Sequence, residues 1–284
     1  MSAATLPCRA GDASADAAPP ERTYEVWAGA DVAEDVWLLY SGTTYSPFGD
    51  INKDGLRLRV VGGYGQYSYA GDRIALNPDY DGISGEPTVS TYKTFQGKVQ
   101  FLEALIGYQW RFGELTTKAF VGIASIEHVV SPNDSLILPV DFADPGAGVT
   151  VIPFNRAVGL EVGFKGAVEF WLNMGADAYG SLDLSWSEAH VTRAARARVG
   201  HYILKEALPG LSAGAEASFN LNRNGEARLK DSTLVNELPL DYARVGGFVR
   251  YASESGEFSV SAGLVGDFIA DQSAYGTANW ISKF

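Results

Sequence analysis

The chain has 284 residues, 46% of them hydrophobic, 20% charged and 12% aromatic, and its 22 Lys and Arg against 34 Asp and Glu leave a formal net charge of −12. The hydrophobic share excludes a disordered chain, and the acidic balance excludes a nucleic-acid binder that works through a basic face. A single cysteine, Cys8, excludes a disulfide framework and a Cys-rich metal site.

Residues 1–21 are dominated by Ala, Asp, Ser and Pro and have no hydrophobic period. They predict a flexible arm ahead of one domain over 22–284. The arm contains no apolar core of a signal peptide, so an export signal is absent from this sequence. Thr5-Leu6-Pro7-Cys8 has the outline of a lipoprotein site, but Thr5 stands where an aliphatic residue is usual. A solvated free cysteine is the expectation there.

No stretch reaches the ~20 apolar residues of a membrane helix. What recurs instead is a two-residue alternation, the mark of a strand with unlike faces. Residues 24–32 and 36–43 are strand-like, and Arg57 and Arg59 then sit opposite Leu56, Leu58 and Val60. Over 102–112 one parity holds Leu102, Ala104, Ile106, Tyr108, Trp110 and Phe112, and the other Glu103, Leu105, Gly107, Gln109 and Arg111. The pattern continues over 115–123. It is cleanest over 158–172, where Leu160, Val162, Phe164, Val168 and Phe170 oppose Glu161, Lys165, Glu169 and Trp171. Its glycines and β-branched residues speak against a helix there. Further strands are predicted over 182–187, 196–204, 213–221, 244–251, 258–264 and 275–284. The total is about twelve, within about ten to fourteen.

Long polar connections (71–90, 131–156, 222–240) mostly follow odd strands, and tight ones (113–114, 173–175, 208–210, 253–256) follow even strands, with 45–55 a medium exception. Outer-membrane barrels alternate in this way. The sequence ends on Phe284, with Trp280 four residues before it, and a terminal aromatic is typical of such barrels; Ser282 departs from the usual apolar residue. The fold class expected is therefore all-β, an antiparallel up-and-down transmembrane β-barrel. Its apolar parity should meet lipid and its Glu, Lys, Arg and Gly parity should line a wet lumen. Aromatics near strand ends (Tyr108, Trp110, Phe112, Phe170, Trp186) suit interface girdles. The alternative is a soluble lipocalin-like barrel or sandwich with the apolar parity inside.

Several stretches resemble the cellulose biosynthesis BcsS family of proteobacteria. They are Tyr24-Glu25-Val26-Trp27-Ala28-Gly29-Ala30-Asp31-Val32, Asp54-Gly55-Leu56-Arg57-Leu58-Arg59 and Gly62-Gly63-Tyr64-Gly65-Gln66-Tyr67-Ser68-Tyr69. Ile106-Gly107-Tyr108-Gln109-Trp110, Gly159-Leu160-Glu161-Val162-Gly163, Glu169-Phe170-Trp171, Arg244-Val245-Gly246-Gly247-Phe248 and Tyr275-Gly276-Thr277 continue the series. The resemblance implies a Gram-negative outer-membrane protein tied to cellulose synthesis, exopolysaccharide secretion and biofilm. It implies no catalytic activity, no catalytic residue and no cofactor. The partners it suggests are outer-membrane lipid, cellulose or another β-glucan, and subunits of the cellulose synthase complex.

The inward parity holds Arg57, Arg59, Glu103, Arg111, Lys118, Glu161, Lys165, Glu169, Asp183, Glu216, Arg244 and Arg250. Charges inside a barrel must be paired or hydrated. The plain expectation is an ion-pair plug. The sharper one is a polar conduit or groove for a neutral glucan, with Tyr67, Tyr69, Trp171 and Tyr179 stacking on sugar rings. A general small porin or a lipid-modifying barrel is the alternative function. His128, His190 and His201 match no zinc spacing. Ser125 precedes His128 by three, but no nucleophile motif marks it. Asn77-Pro78-Asp79-Tyr80-Asp81-Gly82 begins like a calcium loop, yet Thr88 stands where the last ligand should be. No metal site is expected.

Overall fold

The computed structural model describes residues 21–76, 88–131, 135–139, 149–153, 159–222, 242–267 and 271–284. All but Glu21 of the arm expected over 1–21, the Asn77–Gly82 motif and most of the long connections lie outside these residues, as does the side chain of Tyr69. The strands are β1 (Tyr24–Ala33), β2 (Val36–Tyr45), β3 (Gly55–Leu76), β4 (Thr88–Phe112), β5 (Leu115–Ser131), β6 (Ser135–Pro139) and β7 (Val149–Pro153). There follow β8 (Gly159–Met174), β9 (Ala178–Ser187), β10 (Thr192–Tyr202), β11 (Leu211–Asn222), β12 (Tyr242–Ser253), β13 (Gly256–Asp267) and β14 (Asp271–Lys283).

Strands β6 and β7 form a separate ribbon, and the other twelve close into one antiparallel barrel in which β1 pairs with β14. Each barrel strand neighbours its predecessor, apart from the β5–β8 step across the ribbon. Where neighbouring strands overlap, closure leaves the barrel wall no open edge and satisfies the backbone internally, the condition for crossing a lipid core.

The faces fall as the alternation predicts. Leu102, Ile106, Leu160, Val162, Phe164, Val245 and Val260 are exposed on the outside; Val162 retains 65% and Phe164 66% of its accessible surface. The alternate residues Arg57, Arg59, Glu103, Glu216 and Arg250 are buried inside. A soluble barrel would invert this. An outer surface built of bare Leu, Val, Ile and Phe is stable only in lipid.

The termini share a rim with the turn at 113–114, as expected. The opposite rim mixes long connections with links as short as 34–35 and 188–191. Loop length thus alternates less regularly than the sequence suggests. Strands β3 and β4 also overhang. Their ladder runs to Leu76↔Thr88, whereas β2 stops pairing at Tyr67. The nine extra residues of β3 carry the hairpin about 30 Å beyond its neighbour at ~3.3 Å per residue.

Inside, large rings lie flat across glycines of the adjoining strand. A Cβ on Gly42 would collide with Trp27, on Gly29 with Tyr40, on Gly63 with Phe101 and on Gly107 with Phe120, each at under 3.0 Å. The partners are in or near register across the ladders, as in Trp27↔Gly42, Gly29↔Tyr40 and Gly63↔Phe101. The glycines give up side-chain volume so that an aromatic ring can lie against the wall.

Candidate functional site

The lumen is layered. At the mouth on the terminus side, the link at 46–54 folds inward. Ile51 is 4% exposed and Arg57, the third residue of β3, is fully buried beneath it. Arg57 Nη1 donates to Ser46 Oγ (2.9 Å) and the Leu56 carbonyl (2.8 Å), and Nη2 donates to the carbonyls of Ile51 (3.0 Å) and Lys53. Gln109 donates to the Lys53 carbonyl (3.0 Å), Arg111 to the Asn52 carbonyl (2.9 Å) and Lys283 to Asn52 Oδ1 (2.8 Å). The Ile51 amide donates to the Arg22 carbonyl (2.6 Å). Strands β3, β4 and β14 and the chain before β1 therefore all hold the link across the opening. Burial is the largest single influence and raises the Asp50 carboxyl, but the Asn52 amide 2.7 Å from Oδ1, the Asn52 side chain, Lys53 and the Arg22 backbone together outweigh it and keep this group below its ordinary value.

Just inside lies an aromatic layer. Trp171 stacks on Tyr179 (centroids 4.4 Å, 16°), and the Arg250 guanidinium lies 4.7 Å from the Trp171 centroid and 5.1 Å from that of Tyr179. Tyr179 shares a hydrogen bond with Ser212 (2.9 Å), and Arg250 donates to Glu257 (2.6 Å). Tyr179 has no exposed surface, so its ring is wall packing and has no face left for a sugar.

The middle of the lumen is a set of ion pairs. Glu169 receives Arg59 and, at 3.6 Å, Lys118; Lys118 also reaches Glu25 (3.7 Å). Lys165 bonds Glu103 across β4 and β8. Glu216 accepts from Arg196 (2.7 Å), Arg198 (2.9 Å) and Tyr275 (2.8 Å). Arg244 meets Asp31 (3.2 Å), which Thr277 also bonds. Arg59 sits over the Phe120 ring at 3.8 Å, and Arg198 and Arg244 cover Phe248 and Tyr275. Among the described residues Asp183 has no ion pair or hydrogen bond, although β9 and β10 place it level with Arg196 and Glu169.

Between these pairs is a cavity of ≈ 430 Å³, within the ~300–1,000 Å³ of small-ligand pockets. Its lining includes Glu103, Lys165, Glu169, Asp183 and Arg244 from the expected set. Arg111 is instead at the mouth, Trp171, Tyr179 and Arg250 lie in the layer below, and Tyr67 and Glu161 lie towards the opposite rim. Sequence reading missed three lining rings, Trp27, Tyr40 and Phe101. Their signal was present: Trp27 shares the parity of Glu25 and Asp31, and Phe101 that of Glu103.

Towards the long-loop rim Tyr67 and His128 are linked (3.1 Å), and the rings of His128 and His190 meet at 4.7 Å. His190 is fully buried, with a left-handed φ of 52° held by its amide donating to Glu161 (2.7 Å). Ser125 and His128, three apart on β5, point to opposite faces of the barrel and cannot form a nucleophile–base pair. His201 faces outward.

Residues 26–137 match the family described as cellulose biosynthesis protein BcsS, the family that the sequence motifs resemble. The match runs from β1 into β6. No curated protein matches the sequence. Among solved structures, the chain is similar to the transport unit of the autotransporter AIDA-I from Escherichia coli, with 8% identity over 93% of this chain and 91% of that one and a TM-score of 0.49. It is similar to KdgM porin at 7% identity, over 92% of this chain and 99% of that one, with a TM-score of 0.45. The outer membrane protein Omp33 of Acinetobacter baumannii shares 13% identity over 93% of this chain and 99% of that one, with a TM-score of 0.36. The chain is a closed twelve-strand antiparallel β-barrel with the architecture of an outer-membrane barrel, and the part of it over 26–137 is similar to the BcsS family.

Proposed function

We propose that this barrel is a non-enzymatic accessory of a bacterial cellulose system that anchors or organises the polymer at the outer membrane and does not serve as an open pore. The family match over 26–137 carries the pathway. The inward link at 46–54, pinned by Arg57, Gln109, Arg111 and Lys283, supports the anchoring role over free passage. Its partners would be outer-membrane lipid on the apolar exterior, glucan emerging from the cell, and subunits of the synthase complex at the periplasmic rim.

Deletion of the gene in its host tests this reading. Cell-attached cellulose, read by Calcofluor binding, should fall while cellulose synthase activity in isolated membranes stays level. Unchanged attached cellulose would overturn the reading. The purified barrel in planar bilayers should show no steady conductance; a stable open channel would replace the anchor with a porin.

A further inference from the structure

The central cavity has two unlike walls. Strands β1 to β4 present Trp27, Tyr40, Val61, Phe101 and Leu105 beside the ion-paired Asp31, Arg59 and Glu103, and strands β9 to β11, further round the barrel, present Asp183, Ser185, Arg196, Glu216, Ser218 and Asn220 and no aromatic ring. We propose that this cavity is a binding site for a segment of neutral saccharide, seated with its ring faces on the aromatic wall and its hydroxyls on the polar one.

The rings are suited to the task by what does not cover them. Inward faces of Phe120, Phe248 and Tyr275 are capped by Arg59, Arg198 and Arg244. Trp27, Tyr40 and Phe101 carry no such cap among the described residues, and each is only half-buried. Trp27 and Tyr40 stand edge to face at 6.2 Å and 60°, and Gly42, Gly29 and Gly63 behind the three rings hold them against the wall. The C–H faces of a pyranose pack on such rings through dispersion and burial of apolar surface.

The charges decide against an acidic glycan. Four cations line the cavity, Arg59, Lys165, Arg196 and Arg244. Each is already paired, with Glu169, Glu103, Glu216 and Asp31 respectively. An anionic ligand would have to break one of these pairs and leave a carboxylate unpaired in the lumen. Among the described residues, the charged side chain of the lining that has no ion pair or hydrogen bond is an acceptor, the exposed Asp183 carboxylate. Asp183 can accept from sugar hydroxyls, which donate readily. A neutral polyol therefore satisfies the site as it stands.

The identity of the glycan rests on the accessory reading above, and its neutrality rests on the cavity alone. The test is titration of the full-length barrel in lipid nanodiscs with cellohexaose, followed by calorimetry and intrinsic Trp fluorescence. Saturable binding is expected, with Phe101→Ala and Asp183→Ala each weakening it about tenfold. Asp183→Ala keeps the test decisive if removal of the Phe101 ring impairs folding, since Asp183 has no ion pair or hydrogen bond among the described residues. Absence of saturable binding to the unmodified barrel, undiminished binding by folded variants, or tighter binding of oligogalacturonate than of cellohexaose would each overturn the proposal. A barrel that fails to bind can still be required for cell-attached cellulose, and one that binds can be dispensable for it, so the two readings fall separately.

Discussion

The terminus-side mouth and the centre of the lumen are made from the same inward-facing residue types, yet one is filled and the other hollow. At the mouth, Arg57, Gln109 and Arg111 donate to backbone carbonyls of the inserted link at 46–54. In the centre, Arg59, Lys165, Arg196 and Arg244 bond carboxylates of the barrel wall. A cation that finds its acceptor on a foreign segment draws that segment in. A cation that finds it on a neighbouring strand lies back along the wall and leaves space. Charge pairing in a barrel therefore both plugs and hollows, according to where the acceptors are.

The sharpest way to break this contrast is Arg57→Ala. It removes the donor to the Ile51 carbonyl and to Ser46 Oγ and one of the two donors to the Lys53 carbonyl, and should cost about 3–5 kcal/mol of stability. Urea unfolding in bilayers would measure the loss, and conductance that appears in the same variant would show the mouth released. A residual conductance of zero would mean that the link stays in place without Arg57. The contrast also presupposes lipid outside. Val121→Arg, midway along the membrane part of β5, should cost about 2–4 kcal/mol, while Val162→Arg, near the loop-side end of β8, should cost only about 0–1. Equal costs would move the midplane.

In the centre, Glu169→Gln keeps shape but loses the charge that holds Arg59 and Lys118, and should cost about 1.5–3 kcal/mol. Gly63→Ala pushes Phe101 off the wall and into the cavity at about 1–3 kcal/mol; weaker cellohexaose binding would accompany it. Glu161→Gln should be the mildest, under about 1 kcal/mol, because that carboxylate is half exposed and its contact to His190 Nδ1 is 3.7 Å. A loss as large as that of Glu169 would relocate the critical charge to the loop-side rim.

The site was legible in part. Parity placed Glu103, Lys165, Glu169, Asp183 and Arg244 inside, and all five line the cavity. The same reasoning named Trp171 and Tyr179 as sugar platforms, but those two rings cover each other and Arg250 covers both. Parity reports which face a ring is on and is silent on what lies over it. Trp27, Tyr40 and Phe101 were passed over because their glycine seats lie on neighbouring strands, remote from them in sequence.

Alternation along each strand is a local property of the extended chain, so the sequence by itself determined that the chain is β, which side chains meet lipid and which meet the lumen. Closure of β1 on β14, the folding of 46–54 into the mouth, the matching of rings to glycines and the pairing of each cation with its carboxylate were decided only in three dimensions. They depend on register between strands, and register in a closed barrel is set by the stagger of all twelve strands together. No single strand carries that information.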